Sequence, residues 1–393
     1  MQLLSMSDVD IKQKSLLIRV DFNVPMHDGP NGKEISNDAR IRAALPTIRK
    51  ALDEKAKILL ISHLGRPTEG QFDPNYSLMP IAKHLGDLLG QPVRFIKDWL
   101  EEINIAPGEV VLGENVRFLK GEESDDPELA KQMAALCDVF VMDAFGAAHR
   151  AHASTYGVVK FAPVACAGPL VLAEVKALEQ SLLAPRRPLV AVVGGSKVSS
   201  KLSVLEQLVS KVDYLIVGGG IANTFLAANG YSVGKSLYEP DLIPVALHLQ
   251  EQLRNRKAFL PLPLDVIVAK ELSPNAEAHL CKINEVPDDY MILDIGPETI
   301  KLYQESIHEA GTIIWNGPVG VFEIEDFSRG TESIAHAIAN SPAYSLAGGG
   351  DTLAAIEKYN VENDISYIST GGGVFLEFLG GAKLPALEIL KNK

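Results

Sequence analysis

Short apolar runs punctuate this chain, and almost every one ends in a polar or glycine-rich turn. Ser15 to Val20 reads as a strand stopped by Asp21-Phe22-Asn23-Val24-Pro25, since Pro25 has no N–H to continue a ladder. Lys57 to Ser62 reads as a second strand, followed at once by His63-Leu64-Gly65-Arg66-Pro67. Val110 to Leu112 reads as a third, with Arg117 shortly after it. Val139 to Met142 is a fourth and leads into Asp143 and then His149-Arg150. Helical patterns lie between them. One, which Asn37 is placed to cap, carries Arg40 and an apolar face of Ile41, Ala44, Leu45 and Ile48. Strands alternating with helices predict βαβ units and a largely parallel sheet.

The second half repeats the pattern with more glycine. Leu189 to Val193 leads into Gly194-Gly195, and Asp213 to Val217 into Gly218-Gly219-Gly220. Met291 to Leu293, Thr312 to Trp315, Ser345 to Ala347 and Ile365 to Ser369 each run into a further glycine turn. Between the halves, Leu170 to Leu183 is a helical pattern bracketed by Gly168-Pro169 and Ala184-Pro185, which reads as an interdomain connector.

Composition narrows what such a protein does. With 393 residues the natural expectation is two domains. A formal net charge of −13 argues against nucleic acid or an anionic membrane surface as partner. Small anionic ligands remain open, because distant charge is screened beyond about 8 Å and local cations decide. Three dispersed cysteines, Cys137, Cys166 and Cys281, with no CxxC or metal spacing, suit a reduced cytoplasmic protein. The first residues lack the basic and apolar regions of a secretory signal, and no apolar run approaches a membrane span.

In parallel sheets, ligands bind beyond the carboxyl ends of the strands. Asp21, Asn23, His63, Arg66, Arg117 and Arg150 all follow strands, and Arg40 lies on a neighbouring helix. One such arginine would be an ordinary surface residue; several at one sheet edge suggest an anion pocket, since guanidinium matches phosphate and carboxylate bidentately. In Gly194-Gly195-Ser196-Lys197-Val198-Ser199-Ser200-Lys201, Ser196 is a candidate helix N-cap that puts Lys197 and Lys201 in the first turns. Two lysines there repel each other and the macrodipole unless a polyanion reverses both signs; a solvated helix with two surface lysines is the alternative. Asp351, at a helix start after Gly348-Gly349-Gly350, is placed to hold Mg²⁺ through oxygen.

Taken together, the segments Arg19–Pro25, Ser62–Pro67, Glu114–Phe118, Asp143–Thr155, Gly194–Lys201, Trp315–Glu323, Ala347–Thr352 and Ser369–Gly373 resemble, in order, the motifs of the phosphoglycerate kinase family. The resemblance spans essentially the whole chain. It implies an α/β architecture of two Rossmann-like domains with parallel sheets. Residues 1–168 would bind phosphoglycerate, 169–185 form the connecting helix, and 186–381 bind nucleotide, with the tail 382–393 packing back on the first domain. It implies reversible transfer of the acyl phosphate of 1,3-bisphosphoglycerate to MgADP, in glycolysis, by a cytoplasmic monomer with domain closure. Asp21, Asn23, Arg40, His63, Arg66, Arg117 and Arg150 would then hold the glycerate substrate. Lys201, Asn316, Glu323, Gly349, Gly350, Asp351 and Thr352 would hold the nucleotide, with Asp351 on the metal and Arg40, Lys201 and Lys197 catalytic. Two positions depart from the family pattern: Ala147 stands where Thr is usual, and Gly380-Gly381-Ala382 where Glu-Gly-Lys is usual. The rival readings are a dinucleotide dehydrogenase, which lacks its Gly-x-Gly-x-x-Gly opening here, and a non-enzymatic anion-binding protein.

Overall fold

A computed structural model describes residues 2–30, 32–101 and 103–391. The last two residues of the expected C-terminal tail, 392–393, lie outside the described residues. The chain divides into two compact units. One runs to Lys176 and includes the chain again from Lys383; the other is Ala177–Ala382. The division falls inside the helix Pro169–Leu182.

The first unit is built on a six-stranded parallel sheet, ordered Val93–Ile96, Val110–Gly113, Lys57–Ile61, Ser15–Val20, Val139–Asp143, Val164–Ala167. Leu16, Ile18, Ile58, Leu60, Val110, Leu112 and Val141 are buried together, as the continuous apolar runs require of strands covered on both faces. Each such side chain contributes about 1.5–3 kcal/mol through burial. The two edge strands, Val93–Ile96 and Val164–Ala167, are too short and mixed to stand out in the sequence. Ser15–Val20 pairs with Lys57–Ile61 on one side and Val139–Asp143 on the other, so the strand order reverses there. The helix Ala39–Asp53 starts one residue later than Asn37 suggested; Asn37 Oδ1 accepts from the Ala39 N–H at 2.9 Å, and Asp38 occupies the cap position. Ala147, one of the departures, is a buried member of the turn Phe145–Ala147. The helix Pro385–Leu390 buries Ala386, Leu387 and Leu390, and the Ala386 N–H donates to the Ala148 carbonyl at 3.1 Å.

The second unit carries a five-stranded parallel sheet, ordered Tyr214–Gly218, Leu189–Gly194, Thr312–Asn316, Tyr344–Ala347, Tyr367–Ile368. Its order reverses between Leu189–Gly194 and Thr312–Asn316, and that crevice is where a doubly wound sheet binds ligands. Two expectations fail here. Met291–Ile295 is not part of this sheet: it pairs antiparallel with Asp265–Ala269, which also pairs antiparallel with His279–Lys282. An apolar run followed by glycine has the same appearance in both settings. Ser196 caps no helix either. The chain makes a 3₁₀ turn at Ser199–Lys201, and the helix Leu202–Val209 begins only after it. Lys197 therefore lies before the helix and Lys201 at its cap position, so the two lysines do not share a helical face.

Candidate active site

In the first unit the strand ends bring most of the flagged residues into one connected cluster. The Arg40 guanidinium bridges the Asp21 carboxylate (3.1 Å) and the Asn23 carbonyl (3.0 Å). Asn23 Oδ1 accepts from the Gly65 N–H at 2.9 Å, and the Gly65 carbonyl accepts from Arg117 at 3.0 Å. Arg117 is only 3% exposed, lies 3.4 Å from the Glu123 carboxylate, and leaves its buried Nε–H without an acceptor. A buried donor left unpaired costs about 1–3 kcal/mol, which an incoming anion would recover. Arg150 donates to His149 Nε2 at 2.9 Å. Arg66, the next residue after Gly65, is exposed and has no ion-pair partner among the described residues.

His63 is buried against a cation that the sequence reading passed over. Arg19 lies on the strand Ser15–Val20 and is 1% exposed; it reaches His63 Nδ1 at 3.2 Å and Ser154 Oγ at 3.0 Å. Ser154 in turn donates its N–H to the buried Glu122 carboxylate at 2.9 Å and its hydroxyl to the other oxygen. Burial, then the charges of Arg19, Arg150, Arg40 and His152, hold the His63 imidazole well below its ordinary pKa, so it is neutral. The His152 imidazole falls to about 4 for the same reasons, burial first and then Arg150 and Arg19. Burial pushes the Glu122 carboxyl up to about 7, against the pull of Arg19. The signal that could have found Arg19 was there: a charged residue inside an otherwise apolar buried strand is rare without a partner.

In the second unit the crevice at the strand-order reversal is occupied by an ammonium. Lys201 Nζ donates to the Gly194 carbonyl at 2.5 Å and the Asn316 carbonyl at 2.9 Å, the last residues of the two flanking strands. Desolvation lowers its pKa to about 8, while the Asp351 carboxylate acts the other way. Beside it is a pocket of about 380 Å³ whose lining includes Gly195, Gly220, Leu237, Pro318, Glu323 and Asp351. Backbone approach there is too close for side chains: a Cβ at Gly220 would sit 2.0 Å from the Ser196 carbonyl oxygen.

Asn316 and Thr352 are placed differently from Glu323 and Asp351. Both are buried and hold the turn together: Asn316 Nδ2 donates to the Gly348 carbonyl at 2.6 Å, and Thr352 Oγ1 accepts from the Gly317 N–H at 2.8 Å. The Asn316 Oδ1 is buried without a partner. Gly349 precedes the helix Gly350–Lys358 with φ of +100°, a conformation closed to L side chains. Lys197 is exposed, its charge felt by Glu239. Asp351 and Glu323 offer exposed carboxylates, and no cluster of three or more His, Cys, Asp or Glu able to hold a metal exists among the described residues. That donor set fits Mg²⁺ carried in on phosphates, since Mg²⁺ keeps waters and takes one or two carboxylates.

Phosphoryl transfer asks a protein for little beyond positioned cations and a backbone cradle for a nucleotide. On its fold and side-chain placement, this chain is a nucleotide-dependent phosphotransferase of the two-unit α/β type. Known proteins narrow the class. The family model described as "Phosphoglycerate kinase" matches residues 6–382. A phosphoglycerate kinase of Nitratidesulfovibrio vulgaris is 56% identical over 393 residues, covering 100% of this chain and 99% of the relative. One from Francisella philomiragia is 55% identical over the same 393 residues, again 100% and 99% of the two chains. The solved phosphoglycerate kinase from Coxiella burnetii superposes with a TM-score of 0.95 at 54% identity, covering 100% of this chain and 99% of that one. That from Pyrococcus horikoshii OT3 gives 0.82 at 32%, covering 99% and 98%. The chain belongs to the phosphoglycerate kinase family, and is a nucleotide-binding kinase of glycolysis.

Proposed function

We propose that this enzyme moves the acyl phosphate of 1,3-bisphosphoglycerate to MgADP, reversibly, giving 3-phosphoglycerate and ATP. The observation that carries the residue-level reading is the position of Lys201, its ammonium set on the carbonyl ends of the two strands that flank the reversal of strand order. A phosphate oxygen arriving there meets a cation already desolvated, which strengthens the attraction. Arg40, held by Asp21 and Asn23, supplies the second cation for the migrating group, and Lys197 contributes secondarily. His63, Arg66, Arg117 and Arg150 bind the glycerate end. Gly349, Gly350 and Asp351 face the nucleotide phosphates and Glu323 the nucleoside, while Asn316 and Thr352 fix that backbone. Mg²⁺, held by Asp351 when bound, neutralises phosphate charge.

Direct in-line transfer requires the two sets of groups to converge on one phosphate with water excluded, so the cycle includes domain closure. The enzyme works as a monomer in the cytoplasm, with residues 1–168, 169–185 and 186–381 as phosphoglycerate domain, connector and nucleotide domain. No described helix is long and apolar enough to cross a membrane. A coupled assay tests the reaction: ATP should form from ADP and 1,3-bisphosphoglycerate, with no nicotinamide absorbance change by this protein alone. Absence of turnover would leave only an anion-binding protein. Small-angle scattering tests closure; full activity with an unchanged radius of gyration under both substrates would remove it.

A further inference from the structure

We infer that Arg19 is a positioning residue that locks His63 as a neutral imidazole with its proton on Nε2, so that His63 meets the anionic substrate as a hydrogen-bond donor. The inference rests on the proposed contact between His63 and the glycerate substrate and assigns the chemistry of that contact. A guanidinium has five donors and no acceptor, so the 3.2 Å contact from Arg19 requires Nδ1 of His63 to be the acceptor. A neutral imidazole accepting at Nδ1 carries its hydrogen on Nε2, on the ring edge turned away from Arg19.

The guanidinium cannot drift, because every side of it is tied. One terminal nitrogen donates to its neighbour's carbonyl, Val20, at 2.5 Å; Nε donates to Ser154 Oγ; the other terminal nitrogen holds His63. Ser154 accepts from Arg19, and so its hydroxyl hydrogen must point onward to Glu122, the buried counter-charge. The chain of donors therefore runs one way on each branch: Arg19 to Ser154 to Glu122, and Arg19 to His63 to the substrate side. The titratable and charged groups that act on His63 are Arg19 on its neighbouring strand, Arg40 on the helix Ala39–Asp53, Arg150 in the loop after Val139–Asp143 and, in the same loop, the largely neutral His152; Asp21 and Glu122 act on Arg19. Cations dominate the immediate surroundings. An imidazolium would add one more among them, whereas a neutral donor satisfies an anion's lone pair without that repulsion.

Long-range ¹H–¹⁵N correlation on the full chain, labelled at histidine, reads the tautomer directly. His63 should show a protonated Nε2 and a bare Nδ1, unchanged from about pH 5.5 to 8, where a free histidine titrates. A His63 that titrates in that range, or that carries its proton on Nδ1, overturns the inference whether or not any variant folds. The double variant Arg19→Leu/Glu122→Leu removes both buried charges together, so no orphaned carboxylate burdens the fold. In it His63 should sample both tautomers, and KM for 3-phosphoglycerate should rise about tenfold with kcat within about threefold and become pH-dependent. A folded double variant with a locked tautomer and a flat KM profile would equally overturn the role of Arg19. Titrating 3-phosphoglycerate into the native protein separates the lock from the contact beneath it: a locked ring whose Nε2 signal ignores saturating ligand retains the tautomer and removes the substrate contact.

Discussion

On the proposed assignment, the two units solve the same problem, holding a phosphorylated anion, with opposite materials. In the first, side chains do the holding, and carboxylates, carbonyls or a serine brace Arg19, Arg40 and Arg117 in place. In the second, backbone does most of it: glycines open the pocket, and the polar side chains Asn316 and Thr352 are spent on the turn itself. Lys201 is the exception there, an ammonium resting on the carbonyl ends of two strands. The contrast follows from the ligands each unit is proposed to bind. A small phosphorylated hydroxy acid offers mainly charge to grip, whereas a nucleotide offers a flat base and a chain of phosphates along which backbone N–H groups can lie.

If that contrast is right, removing the half-buried cation of the backbone-built unit should be the most damaging change. A unit charge at about 4 Å with an effective dielectric near 20 is worth about 4 kcal/mol. Lys201→Ala should therefore lower kcat by about 10³ while raising KM far less. Near-normal turnover would return the weight to the arginines. The same lysine sets a pH limit. Anion binding needs its charged form, which predominates below its pKa of about 8. The kcat/KM for MgADP should hold below pH 8 and fall as pH rises through it, and Lys201→Ala should abolish that limb.

The difference in materials also explains what was legible beforehand. Arg117 and His63 stood out because a charged or aromatic-nitrogen side chain after a buried strand has few structural uses, and Arg40 because its helix lies beside them. Arg19 did not, since it sits inside the strand and its partners Ser154 and Glu122 are remote in sequence. On the glycine side the parallel sheet was readable from its apolar runs, but the antiparallel trio around Asp265–Ala269 was not, because nothing local marks strand direction. The start of the helix at Leu202 was missed for a related reason. Serine after two glycines favours a helical start, yet the 3₁₀ turn Ser199–Lys201 is fixed by tertiary bonds, the Ser199 N–H and hydroxyl both donating to Glu239.

A backbone-built pocket should fail through its glycines. Gly220→Ala places a methyl 2.0 Å from the Ser196 carbonyl oxygen, so one segment must move. Such overpacking costs about 1–3 kcal/mol, and KM for MgADP should rise roughly tenfold or more while 3-phosphoglycerate binding is unchanged. Equal weakening of both ligands would show that the units do not divide the work as argued. Beneath the same pocket lies Asp294, whose carboxylate accepts from the Gly330 N–H at 2.7 Å and is pushed by burial up to about 7. Between an unfolded carboxyl's ordinary range near pH 4 and pH 7, the native state holds the extra proton. Stability must then fall as pH rises across that window. Asp294→Asn should flatten the fall, by about 1–2 kcal/mol at pH 7, in denaturant melts at several pH values. An identical pH slope in the variant would show that Asp294 is already ionised in the native protein.

The smallest effect should come from the lysine that sequence pairs most closely with Lys201. Both lie in one eight-residue stretch, Gly194–Lys201, and a helix from Ser196 would have made them equivalent. The structure separates them: Lys201 is half-buried on two carbonyls, while Lys197 precedes the 3₁₀ turn, exposed to solvent and near Glu239. An exposed cation acts through high dielectric and loose geometry, where one charge contributes about 1 kcal/mol or less. Lys197→Ala should thus slow turnover by less than about tenfold, and the loss should shrink as salt screens it. A loss approaching that of Lys201→Ala, and insensitive to salt, would mean that Lys197 becomes buried during turnover and that this segment rebuilds when the substrates bind.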